Sequence, residues 1–224
     1  MKVQLIARSS FLGGTDFSDR ARDDQLRGTD LEQIAEYAGR VCYDSMGKGR
    51  NSEDFAANIL EHNHPNVLYH SWVSFHIEGV SRNLTHELVR HHVGFSPSMR
   101  STRFCDEGGS SFVTPLAVKV LLEEDEDFDK ADAEYHRVWR AQYRRVVQKM
   151  LMKGHDKKTA HGAAARYLPN GIATQLAWSG NLAAFRSMIE RRSVPGVVDA
   201  EFCQLSAAML SILKVEAPAY FKDM

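Results

Sequence analysis

The sequence has too few cysteines, and no apolar run long enough, for several broad classes of protein. Its cysteines are Cys42, Cys105 and Cys203, an odd number, widely spaced and without a pair at metal-ligand spacing. That argues against a disulfide framework and against a structural zinc site. No apolar stretch approaches the roughly 18 residues that a membrane-crossing helix needs. The opening MKVQLIARSS is too short in apolar residues for a secretory signal and reads as a strand, so a cytoplasmic protein with no membrane partner is expected. A large excess of either charge is also missing. The 29 Asp and Glu against 28 Lys and Arg leave a net charge of −1, whereas nucleic-acid binders usually carry a broad basic face. Internal repeats and low-complexity segments are absent. What remains is a chain of 224 residues with 43% apolar content, enough for a full core and, by length, for one domain spanning residues 1–224.

Against this even background one stretch stands out. The run RHHVGFSPSMRSTRF, Arg90 to Phe104, holds Arg90, Arg100, Arg103, His91 and His92 with no acid among them. Like charges gathered this closely repel one another, and a bound anion reverses the sign of the interaction. Arginine suits phosphate because its planar fork donates two parallel hydrogen bonds and keeps its charge. A solvated basic loop is the plainer reading, but such loops favour Lys and Glu, and this one carries Phe95, Met99 and Phe104. Ser96, Ser98 and Ser101, with the backbone N–H groups, add donors for phosphate oxygens. Cys105 beside Arg103 has two readings: a thiol activated by a nearby cation, or a small half-buried side chain.

The run resembles the signature of the flavin-dependent thymidylate synthases: Arg-His-Arg, a spacer, then Ser-x-Arg-aromatic. Here it reads Arg90, His91, His92, a spacer from Val93 to Arg100, then Ser101, Thr102, Arg103 and Phe104. The preceding SRNLTHELV, from Ser81 to Val89, looks like the family's helix. The resemblance extends from the first strand to about residue 205. It implies a single α/β domain with an antiparallel or mixed sheet flanked by long helices, and a homotetramer with active sites between chains. It also implies C5 methylation of a uracil nucleotide, with FAD as the flavin and methylenetetrahydrofolate and NADPH as co-substrates. By position, Glu87, Arg90, Arg100, Ser101, Thr102, Arg103 and Arg192 would face the nucleotide. Asn66, Arg90, His91, His92 and Asn181 would face the flavin. Arg192 would be catalytic, promoting ionisation at N3 of the pyrimidine.

Several positions depart from the family pattern. His64 to His70 reads HPNVLYH, with Asn66 in place of a Ser or Thr and Tyr69 in place of a carboxylate. Ala183 stands where an arginine is usual, and the loop after Arg192 lacks the histidine expected four residues on. The phosphate-contacting arginine expected four residues before Pro169 falls on Ala165, with Arg166 next to it. These changes leave dUMP and UMP both open as substrates. They also leave open a nucleotide- or RNA-binding module on the same scaffold that has lost the flavin chemistry.

The rest of the chain reads as scaffold. Lys2 to Ala7 alternates as a strand, and the next twenty residues, with Gly13, Gly14 and mixed charges, suggest a surface loop. Thr29 and Glu32 form a capping-box pair ahead of a helix with Leu31, Ile34, Ala35, Ala38, Val41 and Cys42 on its inner face. Ser52 is expected to cap a second helix. His62, His64 and His70 crowd one turn, but no acid or cysteine completes a metal set. His70 to Val80 alternates as a strand with Val73, Phe75 and Ile77 inward, and Ser81 caps the helix that places Glu87 and Arg90 on one face. Gly94 and Pro97 predict a loop from Val93 to Met99. The acidic run from Glu123 to Asp129 opens a long helix with Tyr135, Val138, Trp139, Val146, Val147, Met150 and Leu151 inward. A short helix stops before Pro169, a strand runs from Gly171 to Trp178, and Asn181 opens a helix ending at Arg191 and Arg192. A last apolar helix covers about 198–213.

Overall fold

The computed structural model describes residues 1–13 and 26–224; Gly14 and the charged cluster of the expected surface loop lie outside the described residues. The first strand, β1 (Lys2–Arg8), is followed by α1 (Asp30–Cys42), α2 (Ser52–Glu61) and a 3-10 turn at Pro65–His70. Next come β2 (Trp72–Ser81), α3 (Arg82–Leu88) and β3 (Phe95–Met99), and then α4 (Leu116–Glu124), α5 (Glu126–Met152) and α6 (Lys157–Ala164). A 3-10 turn at Ala165–Tyr167 leads to β4 (Ala173–Asn181), α7 (Leu182–Arg192), α8 (Ala200–Glu216) and α9 (Pro218–Phe221). The strands form a four-stranded antiparallel sheet in the order β1-β2-β4-β3.

The described residues group into two compact units. The first comprises Met1–Lys2, Ile77–Arg90 and Ser98–Leu176. Its centre is α5, packed between α4 and α6, with Trp139 and Tyr143 as its buried residues. The predicted inner face of this helix is corrected here, because Tyr135, Val138 and Leu151 are exposed in the chain. The helix touches its neighbours along a narrow stripe, so only residues on that stripe are covered. Nor does one helix run on from Glu123. Asp125 adopts an extended conformation (φ −129°, ψ 100°), ends α4, and accepts the Asp127 and Phe128 N–H groups to cap α5. A short side chain that bonds the backbone ahead of it competes with helix continuation.

The second unit comprises the described part of Val3–His76, with His91–Pro97 and Ala177–Met224. Its core includes Leu31, Phe75, Trp178, Phe185, Phe202 and Tyr220. The Thr29–Glu32 capping box is present, and Leu31 and Ala35 are buried as expected, but the buried face of α1 extends over charged residues in place of the expected Val41. Glu32, Glu36 and Arg40 are buried whereas Val41 is exposed. Burial of charge is tolerated because each group is paired. Glu36 and Arg40 form an ion pair at 2.6 Å, and Glu32 accepts the N–H of Ala219 at 2.6 Å. On α2 the cap is Asn51, whose side chain accepts the Asp54 N–H, and Ser52 is the first helical residue.

The expected loop before Met99 is in part the strand β3, Phe95–Met99. Phe95 accounts for the difference. Its ring stacks on Trp178 at 4.5 Å and meets Phe185 edge-on at 4.9 Å, which holds the segment beside β4. Pro97 is tolerated because β3 is an edge strand, where a missing N–H costs no ladder bond.

Candidate active site

In the first unit, the Ser81 hydroxyl accepts the Leu84 N–H at 3.0 Å and starts α3. The helix ends at Leu88, two residues short of Arg90, so Glu87 and Arg90 do not share a helical face. Arg90 instead follows in a tight turn, its N–H donating to the Glu87 carbonyl at 3.1 Å. Further on, the Cys105 N–H donates to the Ser101 carbonyl at 3.0 Å, and the Arg103 N–H donates to Ser101 Oγ at 3.2 Å. Ser101 thus organises the turn that carries Thr102 and exposes Arg103.

Two neighbours of that turn were not legible in the sequence. The Arg103 stem passes Gly162 of α6, where an added Cβ would stand 3.7 Å from Arg103 Cγ. The Lys158 ammonium lies 4.9 Å from the centre of the Phe104 ring. Arg166 bends back to donate to the Gly162 carbonyl. The change from α-helix to 3-10 turn at Ala165 alters the angular step between side chains, and Arg103 and Arg166 approach the same glycine. Next to this turn, the Arg100 Nε–H donates to Glu107 Oε1 at 3.1 Å. Cys42, Cys105 and Cys203 are free thiols, and among the described residues no three His, Cys, Asp or Glu side chains are grouped to hold a metal ion.

In the second unit, Arg192 at the end of α7 donates its Nε–H to Nε2 of His91, at 3.0 Å. The Arg192 guanidinium lies over the Phe202 ring at 4.9 Å, and His91 meets that ring edge-on at 5.8 Å. Burial, then the cations of Arg192 and Arg191, push the His91 pKa below its ordinary value. The ring is therefore neutral near pH 7, and with Nε2 accepting, its proton resides on Nδ1. Phe202 was foreseeable only as an apolar residue of α8; nothing in its spacing named its partners. Asn181 caps α7 by accepting the Ala184 N–H at 2.8 Å, and its own N–H donates to the Gly94 carbonyl at 3.1 Å. Gly94 must be glycine: its φ is +75°, and a Cβ would stand 2.6 Å from Asn181 Nδ2. Asn66 and His92 are exposed. Asn66 shares no hydrogen bond with His91 or Asn181 among the described residues.

A family model described as thymidylate synthase complementing protein matches residues 26–219. A flavin-dependent thymidylate synthase of Mycobacterium marinum is 35% identical over 234 residues, spanning 100% of this chain and 89% of the relative. The chain belongs to the flavin-dependent thymidylate synthase family. The enzyme of that name from Mycobacterium tuberculosis is likewise 35% identical, over 237 residues, with the same coverage. Among solved structures, thymidylate synthase X from Helicobacter pylori, crystallised with FAD and dUMP, has the same fold. Its TM-score is 0.67 at 20% identity, covering 100% of this chain and 98% of that one.

Tyr69 is exposed, whereas Ala183 is buried and packs as a core residue. The fourth residue after Arg192 is Gly196, in a left-handed conformation at φ +79°. Of the antiparallel or mixed sheet with long helices expected from the sequence, the antiparallel form is the one observed. No helix among the described residues is long and apolar enough to cross a membrane.

Proposed function

We propose that this chain methylates C5 of a uracil nucleotide, converting dUMP to dTMP, with FAD as cofactor and methylenetetrahydrofolate and NADPH as co-substrates. UMP is the other substrate that the changed positions leave open. Residues 1–224 are taken as one domain, since β2 and β4 each run through both units, acting within a cytoplasmic homotetramer. The observation that carries the reading is the His91–Arg192 hydrogen bond. It joins a signature residue to the arginine at the end of α7 across 101 positions of sequence.

The residues present fit a flavin in kind. Neutral His91 with a proton on Nδ1, and the amides of Asn66 and Asn181, are uncharged donors suited to ring carbonyls and nitrogens. Arg90 suits a phosphate of the same cofactor. Bound there, FAD would supply the reducing electrons for the transferred carbon. The nucleotide phosphate is assigned to Arg90, Ser101 and Arg103, with Arg166 joining Arg103 at Gly162, and Thr102 and Glu87 positioning the nucleotide. Arg100, whose Nε is held by Glu107, is assigned to the nucleotide with them. Arg192 stabilises negative charge that develops on the pyrimidine, which lowers the barrier more than it strengthens ground-state binding. Phe202 and His91 hold the guanidinium in one orientation, so little reorganisation is needed as that charge appears.

The test is direct. The purified protein should show a flavin absorbance spectrum, and its extract should contain FAD in near-stoichiometric amount. A colourless protein that takes up no FAD on reconstitution, yet binds dUMP, would favour the nucleotide-binding module.

A further inference from the structure

In the first unit, the Ser101–Arg103 turn belongs to a loop fastened to β4 at both ends. Arg100, the residue after β3, donates its N–H to the Gln175 carbonyl at 3.0 Å, and the Ser111 carbonyl accepts the Ala173 N–H at 2.8 Å. Between these ends a side-chain bridge closes the loop on itself. Arg100 Nε–H donates to Glu107 Oε1 at 3.1 Å, and its Nη2 reaches the Asp106 carbonyl at 3.4 Å. Ser101, Thr102 and Arg103 lie inside the bridge. Glu107 is anchored from several sides. It is 1% exposed, its second oxygen accepts the Ser110 hydroxyl, and its N–H donates to the phenol oxygen of Tyr143 on α5 at 3.1 Å. Arg140 and Arg144 of the same helix donate to the carbonyls of Ser110 and Gly108. The Arg82 guanidinium donates to the Arg100 carbonyl at 3.0 Å. Burial pushes the Arg82 pKa below its ordinary value, and the charge of Glu107 opposes that shift. One buried carboxylate thus serves two guanidiniums, and a buried pair holds its geometry where an exposed one would be weak.

We propose that Glu107 is a positioning residue of the nucleotide site: its bridge to Arg100 holds the Ser101–Arg103 turn in its binding shape before a nucleotide arrives. The inference rests on the assignment of the nucleotide to that turn. The turn's own bonds are few. The Ser101 hydroxyl accepts the Arg103 N–H at 3.2 Å, and the Ser101 carbonyl accepts the Cys105 N–H at 3.0 Å. Arg103 and Phe104 are exposed, so no core packing closes the turn from outside. Without the bridge it would sample open forms, and closing it would subtract from the binding free energy. Glu107 touches no ligand and acts through Arg100. Its charge is matched at short range by Arg100 and Arg82, which limits its repulsion of a phosphate at the turn.

The experiment compares the full chain as purified with Glu107→Gln, which keeps the shape of the side chain and removes its charge. Amide hydrogen exchange and calorimetric binding of dUMP are measured on both. The Cys105 amide, which reports closure of the turn, should lose about tenfold in protection, and dUMP affinity should fall about tenfold with it, the loss of one hydrogen bond to a charged group. The Ala160 amide, bonded to the Asp156 carbonyl at the start of α6, should exchange as in the parent, and flavin content should not change. Tyr143→Phe removes only the oxygen that accepts the Glu107 N–H. It should give the same selective pattern at about threefold, and it carries the test should Glu107→Gln not fold. Equal loss of protection at Cys105 and Ala160 would make Glu107 a structural acid only and overturn the proposal. Unchanged or raised dUMP affinity in a folded variant would also overturn it, while leaving the nucleotide assignment in place. A parent protein that binds no dUMP would remove the nucleotide reading itself and this proposal with it.

Discussion

Nε2 of His91 accepts the Nε–H of Arg192 at 3.0 Å. A residue from the basic run and one from the far end of α7 thereby become a single unit, with Phe202 beneath both. Arg192→Ala is expected to lower turnover by about 10²-fold or more, the usual effect of removing one donor aimed at developing charge. The nucleotide dissociation constant should change far less. Arg191→Ala, which removes an exposed neighbour, should have a mild effect on both. Single-turnover rates and equilibrium binding separate the two, and similar losses in both variants would make Arg192 a helix-end cation only.

The His91 pKa is a second readout of the same contact. It lies below its ordinary value because of burial first, then Arg192 and Arg191. A histidine whose folded pKa is depressed binds fewer protons in the folded state than in the unfolded one between the two values. Its contribution to stability is therefore present above the unfolded pKa of about 6.5 and is lost as pH falls below it, until the folded group protonates too. In Arg192→Ala the His91 resonance should titrate at a higher pH than in the parent protein. An unchanged NMR titration curve would show that burial alone sets the shift.

Arg103→Ala should weaken nucleotide binding by about 1.5–3 kcal/mol, the range for a hydrogen bond to a charged group, while bound flavin stays near its normal level. Arg103 is exposed at the Ser101 turn beside α6 and is assigned to phosphate alone. Parallel loss of flavin and nucleotide, measured by absorbance and calorimetry on the same sample, would contradict that division.

The scaffold prediction concerns α1. Arg40 and Glu36 have side chains only 2% and 3% exposed, and Arg40 also donates to the carbonyls of Ser45, Lys48 and Arg50. Removing it leaves a buried carboxylate without its partner. Arg40→Ala should cost about 3–5 kcal/mol, read from the midpoint of urea unfolding. A shift corresponding to a surface substitution would mean water replaces the guanidinium freely.

Local signals carried much of the scaffold. Thr29, Ser81 and Asn181 each marked a helix start, because a cap is decided by residues within one turn, and the alternation of Val73, Phe75 and Ile77 marked β2. What failed depended on distant partners. On α1, Leu31 and Ala35 were read correctly, but the buried acids were not, because Ala219 and Arg40, which satisfy them, cannot be assigned to them from spacing. The strand β3 was missed because Phe95 is held by Trp178 and Phe185, far along the chain. At the candidate site the basic run and the α7 arginine were both visible, but their meeting through His91, the contact with Phe202 and the Arg100–Glu107 ion pair were not. Only the burial of Glu107 shows that it holds an arginine.

The most direct measurement of the central claim is product formation. The FAD-loaded protein is incubated with methylenetetrahydrofolate, NADPH and either dUMP or UMP, and the nucleotides are resolved by mass. The account predicts a product heavier by one methylene unit at C5, formed from at least one of the two, with the rate collapsing in Arg192→Ala. Binding of dUMP by flavin-loaded protein with no methylated nucleotide from either substrate would contradict it.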